Sequence, residues 1–154
     1  FSTLHTNSAP ETVTRLLDMG LNPLNFSDAF LGVLAQRLIR RVCRHCAAPH
    51  EPDINEQAWL RDQTGDSLGK QAFVHGSGCN NCNHTGYDGR IGVYELLIMD
   101  AVLAAALRGE DQNAFEQAAR AQAGYVPLLQ NALDYARRGI TTIGEVIRLC
   151  GWAD

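Results

Sequence analysis

The sequence predicts an α+β protein that is predominantly helical and has a strand-containing region around four cysteines. Three observations support this fold class. Capping signals followed by apolar residues at helical spacing occur near both ends of the chain. A run rich in β-branched and aromatic residues, typical of a strand, spans residues 90–98. Two Cys-x-x-Cys pairs lie between the N-terminal and C-terminal helical regions.

The composition narrows the functional class. The chain has 154 residues, 45% of them hydrophobic and 19% charged, which suits one compact unit or a small domain with an appendage. A formal net charge of −4 argues against a surface that attracts nucleic acid in general. The sequence shows no signal peptide and no apolar run near the roughly 20 residues that span a bilayer. Paired cysteines in such a chain indicate reduced metal ligands in a cytosol rather than disulfides.

The N-terminal region predicts the end of a strand followed by a capped helix. Phe1–Leu4 is a short β-prone run without a start Met, so we expect a strand whose sheet lies elsewhere in a longer protein. Ser8-Ala9-Pro10-Glu11 forms a capping box with proline near the first helical position. Gly20 stands where a left-handed residue ends a helix.

A second helix is predicted from Asn22-Pro23 to about Ile39. Its apolar residues recur near helical spacing, and Gly32 indicates close packing or a bend. These apolar residues are Leu24, Phe30, Leu31, Leu34 and Leu38.

The middle of the chain is predicted to be irregular, with limited secondary structure. Residues 47–70 are predicted as a loop, a short helix around Ile54 to Asp62, and another loop. A strand is predicted at Gln71 to His75 and a second one at Arg90 to Ile98.

The C-terminal third is predicted to be helical because capping residues and terminating glycines alternate along it. Asp100 caps the first helix, Asp111 the second, and Thr142-Ile143-Gly144-Glu145 is a second capping box that opens the last. The predicted helices are Ala101 to Arg108, a helix through about Ala123, Tyr125 to Arg138, and a last helix containing Val146, Ile147 and Leu149.

The four paired cysteines predict one structural zinc ion. They are Cys43, Cys46, Cys79 and Cys82, with 32 residues between Cys46 and Cys79. Each pair can present two thiolates to one metal, and two pairs complete a tetrahedral shell with Zn–S bonds of about 2.3 Å. A closed shell leaves no position for water, so the predicted site is structural and not catalytic. The long spacing predicts two knuckles joined by a small subdomain.

Other interpretations of the cysteines and histidines remain open at this point. The four thiols could be free or form a redox pair. Four histidines are possible substitute ligands that rank below the sulfurs: His45, His50, His75 and His84. Cys150 is interpreted as a small buried hydrophobic residue on the last helix.

Several stretches, taken in order, resemble the C-terminal part of the secretion ATPases that drive type II secretion and type IV pilus assembly. They are Ser2–Asn7, Thr14–Gly20, Gly32–Cys43, Cys79–Glu95 and Gly139–Arg148. The resemblance covers nearly the whole chain. It is carried by the ordered set rather than by one short motif, and it does not separate secretion members from pilus members.

The resemblance implies a fold and an activity. It implies a hexameric RecA-like motor on the cytoplasmic face of the inner membrane, which hydrolyses ATP to move pilin or pseudopilin subunits. Residues 1–40 would be the C-terminal end of the RecA-like domain, with the histidine-box strand and two helices. Residues 41–98 would be the tetracysteine zinc-binding subdomain, and residues 99–154 a helical subdomain. The implied partners are the other subunits of a homohexamer and platform proteins of the inner membrane, with no nucleic acid expected.

The resemblance also implies nucleotide-proximal residues. Thr3 and His5 fall in the histidine box, where His5 would sense or position the γ-phosphate. Gln36 and Arg37 would pack near the nucleotide, although they could equally form an exposed polar face of the predicted helix.

The chain departs from the family pattern in lacking a phosphate loop. No Gly-x-x-x-x-Gly-Lys-Ser/Thr occurs, and the only lysine is Lys70 in a loop-like stretch. The backbone N–H groups and lysine that hold the nucleotide phosphates are therefore missing. We expect a fragment of a motor that is inactive by itself, with ATP and Mg²⁺ bound only by the full-length parent.

Two questions about binding stay open. The basic cluster Arg37, Arg40, Arg41 and Arg44, with Arg90, could be a solvated face, a subunit contact or a phosphate-binding surface, and the acidic segment from Glu51 to Glu56 could pair with it. The alternative function is a zinc-ribbon-type module that binds protein partners or nucleic acid. A nucleic-acid reader would require a larger basic surface with interleaved aromatic residues.

Overall fold

The computed structural model describes residues 2–65, 72–109 and 111–151. These ranges contain seven α-helices and four strands, and this mixture of helices with small sheets confirms the α+β class. In chain order they are α1 Ala9–Asp18, α2 Pro23–Ala29, β1 Gly32–Val42, β2 Ala47–His50, α3 Ile54–Thr64, β3 Phe73–Gly76, β4 Tyr87–Ile98, α4 Ala101–Arg108, α5 Gln112–Ala121, α6 Leu128–Arg137 and α7 Ile143–Leu149. Across the described ranges, none of the helices has both the length and the apolar character needed to cross a membrane.

The strands pair two by two, and the chain divides into two units. β1 pairs with β4, and β2 pairs antiparallel with β3 so that Ala48 lies opposite His75 and His50 opposite Phe73. The first unit comprises Phe1–Gln36 and Tyr94–Leu128. The second comprises Arg37–Val93 and Leu129–Asp154 and contains all four paired cysteines.

The first unit has a core formed by helices that pack on the end of β4. The apolar residues of α1, α4 and α5 recur at helical spacing, which places them on one side of each helix. The buried members of this core are Ala9, Val13, Leu97, Leu103, Leu107, Phe115 and Ala119.

A buried carboxylate fixes two helix starts to β4 within this unit. Glu95 is 2% exposed and accepts hydrogen bonds from the backbone N–H groups of Ala9 at 2.7 Å and Leu128 at 2.8 Å. These are the first residues of α1 and α6, where N–H groups lack intrahelical partners and negative charge is favourable. The Tyr125 hydroxyl donates a third bond at 2.7 Å, and burial together with the Glu95 carboxylate raises the pKa of Tyr125.

The second unit contains a buried carboxylate that is paired with arginines. Glu145, on α7, is 1% exposed and accepts from the Arg40 backbone N–H at 2.9 Å. The Arg40 guanidinium donates to it at 2.6 and 2.9 Å, and that of Arg148 at 2.9 and 3.0 Å. Burial acts to raise the pKa of Glu145, but the hydrogen bonds from these arginines outweigh it and lower the pKa to about 2.

The predicted helix from Asn22 to Ile39 is wrong beyond its first turns. α2 ends at Ala29, and β1 occupies Gly32–Val42. Exposure alternates along β1, with Leu34 and Leu38 exposed and Ile39 buried. Because apolar residues stand on both faces of the strand, their spacing imitates a helical stripe.

Two segments also differ from the predicted strand and loop assignments. Residues 2–6 form neither a helix nor a strand, because no strand within the described ranges pairs with them. The segment Ala47–His50, predicted as part of a loop, is β2, since pairing with β3 satisfies its backbone. Lys70 and Gln71, and with them the start of the predicted strand, lie outside the described residues.

The predicted capping boxes form only in part. Ser8 Oγ accepts from the Glu11 N–H at 3.2 Å, while the Glu11 carboxylate reaches the N–H of Asn7, one residue earlier than expected. Thr142 Oγ1 accepts from the Glu145 N–H at 3.1 Å as predicted. The carboxylate of Glu145 is engaged by arginines instead of returning to the backbone of Thr142.

The caps predicted for α4 and α5 are confirmed. Asp100 and Asp111 each accept a backbone N–H at the start of the helix that follows. The helix predicted from Tyr125 begins later, at Leu128.

Replacing Glu95 by alanine should destabilise the first unit strongly. The change leaves the N–H groups of Ala9 and Leu128 without an acceptor in a buried position, so we expect the free energy of unfolding to fall by roughly 3 kcal/mol. Urea denaturation followed by circular dichroism measures this. Glu116→Ala, which removes an exposed carboxylate from α5, is the control and should change stability by less than about 0.5 kcal/mol. Equal effects of the two substitutions would contradict the assigned role of Glu95.

Candidate metal centre

Both cysteine pairs lie where strands of the second unit begin or end. Cys43 and Cys46 occupy the turn between β1 and β2, and Cys79 and Cys82 lie on a single 3₁₀ turn between β3 and β4. The four sulfur atoms all lie within 4.8 Å of one another. Among the described residues, these cysteines form the one group of three or more potential ligands at such distances.

The sulfur spacing fits a tetrahedral metal site. The Sγ–Sγ distances are 3.8 Å for Cys43–Cys79, 3.9 Å for Cys46–Cys82 and 3.7 Å for Cys79–Cys82. A regular tetrahedron with Zn–S bonds of about 2.3 Å has edges of roughly 3.8 Å. A disulfide would require an S–S distance of about 2.05 Å, and all four cysteines are free thiols. The donor set therefore suits a thiophilic ion with a closed shell.

Backbone N–H groups point at the sulfur of Cys82. The N–H groups of Cys79 and Gly86 each donate to its Sγ at 3.3 Å. Burial acts to raise the pKa of the Cys82 thiol, but these two hydrogen bonds outweigh it and lower the pKa to about 6. Burial is the main reason that the pKa of Cys46 rises to about 12. The lowered pKa of Cys82 favours its thiolate, which is the form of cysteine that binds metal.

Two glycines allow the chain segments beside the knuckles to cross closely. A Cβ atom on Gly76 would collide with the carbonyl oxygen of Gly86, and one on Gly86 would collide with that of Gly76. Gly86 also has φ +78°, a conformation that favours glycine. The crossing brings the chain after β3 and the chain before β4 together at the cysteines.

The histidines considered as substitute ligands lie outside this group of sulfurs. His45 and His84 are exposed. His50 pairs with Glu56 at 2.7 Å, and its ring meets the ring of His75 edge-on with centroids 5.6 Å apart. Cys150 is half-buried just after α7, and burial raises the pKa of its thiol.

The predicted nucleotide-proximal residues are distributed over two segments. Thr3 and His5 are exposed in the segment before α1. Gln36 and Arg37 lie on β1 and not on a helix, with Gln36 exposed and Arg37 half-buried. The role of these four residues stays a prediction.

The basic cluster is divided by the structure. Arg40 binds Glu145 and lies over the ring of Tyr87, 4.0 Å from its centroid, rather than pairing with the acidic segment from Glu51 to Glu56. Arg44 and Arg90 are exposed, and Arg41 is half-buried. The sequence did not predict Glu145 and Tyr87 as partners of Arg40. The signal that could have found Glu145 is an acidic residue among apolar ones on the last helix.

Comparison with known proteins identifies similar sequences along the chain. A protein family described as type II/IV secretion system protein matches residues 1–148. The Type II secretion system ATPase E of Vibrio cholerae serotype O1 is 41% identical over 151 residues, covering 96% of this chain and 29% of the relative. The Type IV pilus assembly ATPase PilB of Thermus thermophilus is 40% identical over 147 residues, covering 95% of this chain and 16% of the relative. The Type II secretion system protein E of Dickeya dadantii is 40% identical, covering 96% of this chain and 28% of the relative. The chain therefore spans less than a third of the length of these relatives.

Replacing Gly86 by alanine should disrupt the metal centre, because the new Cβ would meet the backbone of Gly76. Gly89→Ala is a matched control, since Gly89 has a similar φ of +73° but no heavy atom within 4 Å of the new Cβ. Gly89→Ala should lower the free energy of unfolding by about 1 kcal/mol, from backbone strain alone. Gly86→Ala should lower the free energy of unfolding by clearly more than this. It should also weaken the binding of cobalt(II), which is measured from the absorption bands of the cobalt–thiolate complex. If the two variants behave alike, the crossing does not constrain the site.

Proposed function

The chain belongs to the type II/IV secretion system protein family, and from this premise we propose that it is the C-terminal part of an ATPase that powers type II secretion or type IV pilus assembly. The observation that carries the proposal is the family match along residues 1–148, which includes both cysteine pairs. Relatives of both kinds match to a similar degree, so the proposal covers secretion and pilus assembly alike.

The tetracysteine group would hold one structural zinc ion. Its sulfur spacing supports tetrahedral thiolate coordination, and a shell of four sulfurs leaves no open position for catalysis. Bound there, zinc would supply four metal–sulfur bonds that tie the end of β1 and the start of β2 to the chain between β3 and β4. Because such a site forms only when its ligands are brought together, metal affinity would add directly to folding stability.

The nucleotide chemistry would belong to the whole protein. We expect ATP and Mg²⁺ to bind the full-length ATPase, with Thr3 and His5 near the γ-phosphate. Gln36 and Arg37, which are consecutive on β1, would also lie near the nucleotide of the full-length protein. This chain contains no phosphate-loop motif, and we expect no ATP hydrolysis by it alone.

The assembly would be a homohexamer on the cytoplasmic face of the inner membrane, bound peripherally through platform proteins of the secretion or pilus system. The names of the relatives support the link to the secretion or pilus system, since they are ATPases of those two systems. The zinc subdomain would serve as a rigid element that transmits movement from the nucleotide site to the platform.

A zinc-ribbon-type module that binds nucleic acid or protein is the second candidate, because Arg44 and Arg90 are exposed in the unit that holds the cysteines. Fluorescence anisotropy with labelled single-stranded DNA at low and high salt separates the two. The secretion proposal expects no binding at either salt concentration. Tight binding that weakens steeply as salt rises would favour the nucleic-acid module.

Replacing Cys79 by serine should remove the zinc. We expect about one zinc per wild-type chain by plasma mass spectrometry and much less in Cys79→Ser, because serine is a poor zinc ligand. Cys150→Ser, which removes the thiol that lies outside the group, is the control and should retain the metal. In the full-length protein, Cys79→Ser should also destabilise the fold and block secretion. Unchanged zinc content together with unchanged secretion would refute the role proposed for the site.

A further inference from the structure

The segment Ile140–Glu145, which leads into α7, contacts the end of β1 just before Cys43. The backbone N–H of Val42 donates to the carbonyl of Ile140 at 3.0 Å. The hydroxyl of Thr141 donates to the carbonyl of Arg40 at 2.7 Å, and the Arg40 N–H donates to Glu145 at 2.9 Å. Thr141 and Glu145 are buried, so these bonds are shielded from water. The last residues of β1 before the first knuckle are therefore held along this segment.

The same segment contacts the start of β4. The hydroxyl groups of Tyr87 and Thr142 are hydrogen-bonded at 3.0 Å. The ring of Tyr87 also lies beneath the guanidinium of Arg40, which Glu145 holds in place with two hydrogen bonds. Glu145 thus engages β1 through the backbone of Arg40 and β4 through the Arg40 side chain and the Tyr87 ring.

Gly86, the residue before Tyr87, joins the two knuckles. Its N–H donates to the sulfur of Cys82 at 3.3 Å, and its carbonyl accepts from the N–H of Cys43 at 3.0 Å. A displacement of Tyr87 would therefore move Gly86, whose N–H is bonded to Cys82 and whose carbonyl is bonded to Cys43, one cysteine from each pair.

We propose that Ile140–Glu145 is a clamp that positions the two knuckles for metal binding, and that Glu145 is its positioning residue. The inference rests on the proposed metal centre and gives a structural role to the start of the Gly139–Arg148 stretch, in which the zinc and ATPase assignments name no site residue. Groups that orient metal ligands without touching the metal typically contribute 10- to 100-fold to metal affinity. Here the oriented groups are the backbone that leads into Cys43 and the residue that follows Gly86.

Glu145→Gln tests the proposal with little change in side-chain shape. We expect zinc affinity, measured by competition with a chromogenic chelator, to weaken about tenfold or more. Val146→Ala is the matched control, because it removes buried volume from the next position of α7 but none of the hydrogen bonds to β1. It should change zinc affinity by less than about twofold when compared at an equal loss of stability. Tyr87→Phe keeps the ring under Arg40 and removes only the hydroxyl, so we expect a smaller, few-fold loss of zinc affinity.

A second measurement uses the wild-type chain alone. Coupling between two sites is reciprocal, so removal of zinc should loosen the clamp. Hydrogen exchange of the backbone amides of Arg40, Val42 and α7 should accelerate after chelation, while the amides of α1, in the first unit, should not change. This measurement decides the question if Glu145→Gln does not fold.

Two results would contradict the proposed clamp. One is equal zinc affinity of Glu145→Gln and Val146→Ala, and the other is a hydrogen-exchange rate in α7 that does not change when zinc is removed. Failure of the metal centre itself is recognised separately, because the wild-type chain would then bind no zinc at the outset of the titration.

Discussion

The two cysteine pairs are separated by 32 residues, and their sulfurs must nevertheless meet at distances of 3.7 to 3.9 Å. Two features of the second unit allow the sulfurs to approach one another. The intervening chain folds into β2, α3 and β3, so that its two ends return to one place. Gly76 and Gly86 then permit a backbone crossing that any side chain would prevent. Bringing these segments together costs conformational entropy, and a metal bound by all four sulfurs would offset that cost.

Each unit also uses a buried glutamate to join elements that are distant in sequence. Glu95 satisfies backbone donors at the starts of α1 and α6 and also accepts a hydrogen bond from the Tyr125 hydroxyl. Glu145 satisfies a backbone donor of β1 and two guanidinium groups. In both cases a buried carboxyl group is tolerated because its oxygens accept hydrogen bonds. The helices are thereby fixed to the strands by directional contacts as well as by apolar packing.

The parts of the structure that could be predicted from the sequence are those with local causes. The close group of four cysteines follows from the Cys-x-x-Cys spacing, and the start of α4 follows from the capping chemistry of Asp100. β1 was predicted incorrectly because leucines on its exposed face, such as Leu34 and Leu38, fill in the alternation that marks a strand. The position of Glu145 among apolar residues marks it as unusual, but its partner Arg40 could not be predicted, because Arg40 lies 105 positions away and the local pattern is that of a capping box. Such long-range contacts leave no periodic signal.

The chemistry of Glu145 bears on why such a contact exists. A buried ion pair gains little stability over well-packed apolar residues, since removing the charges from water offsets most of their attraction. An apolar pair in place of Arg40 and Glu145 would fill the space but would accept no bond from the β1 backbone and hold no guanidinium over Tyr87. What the ion pair adds is orientation, and it adds it at the residues that lead into Cys43 and out of Gly86. Directional bonding at these positions is better explained by the geometry that the proposed metal site would require than by the stability of α7.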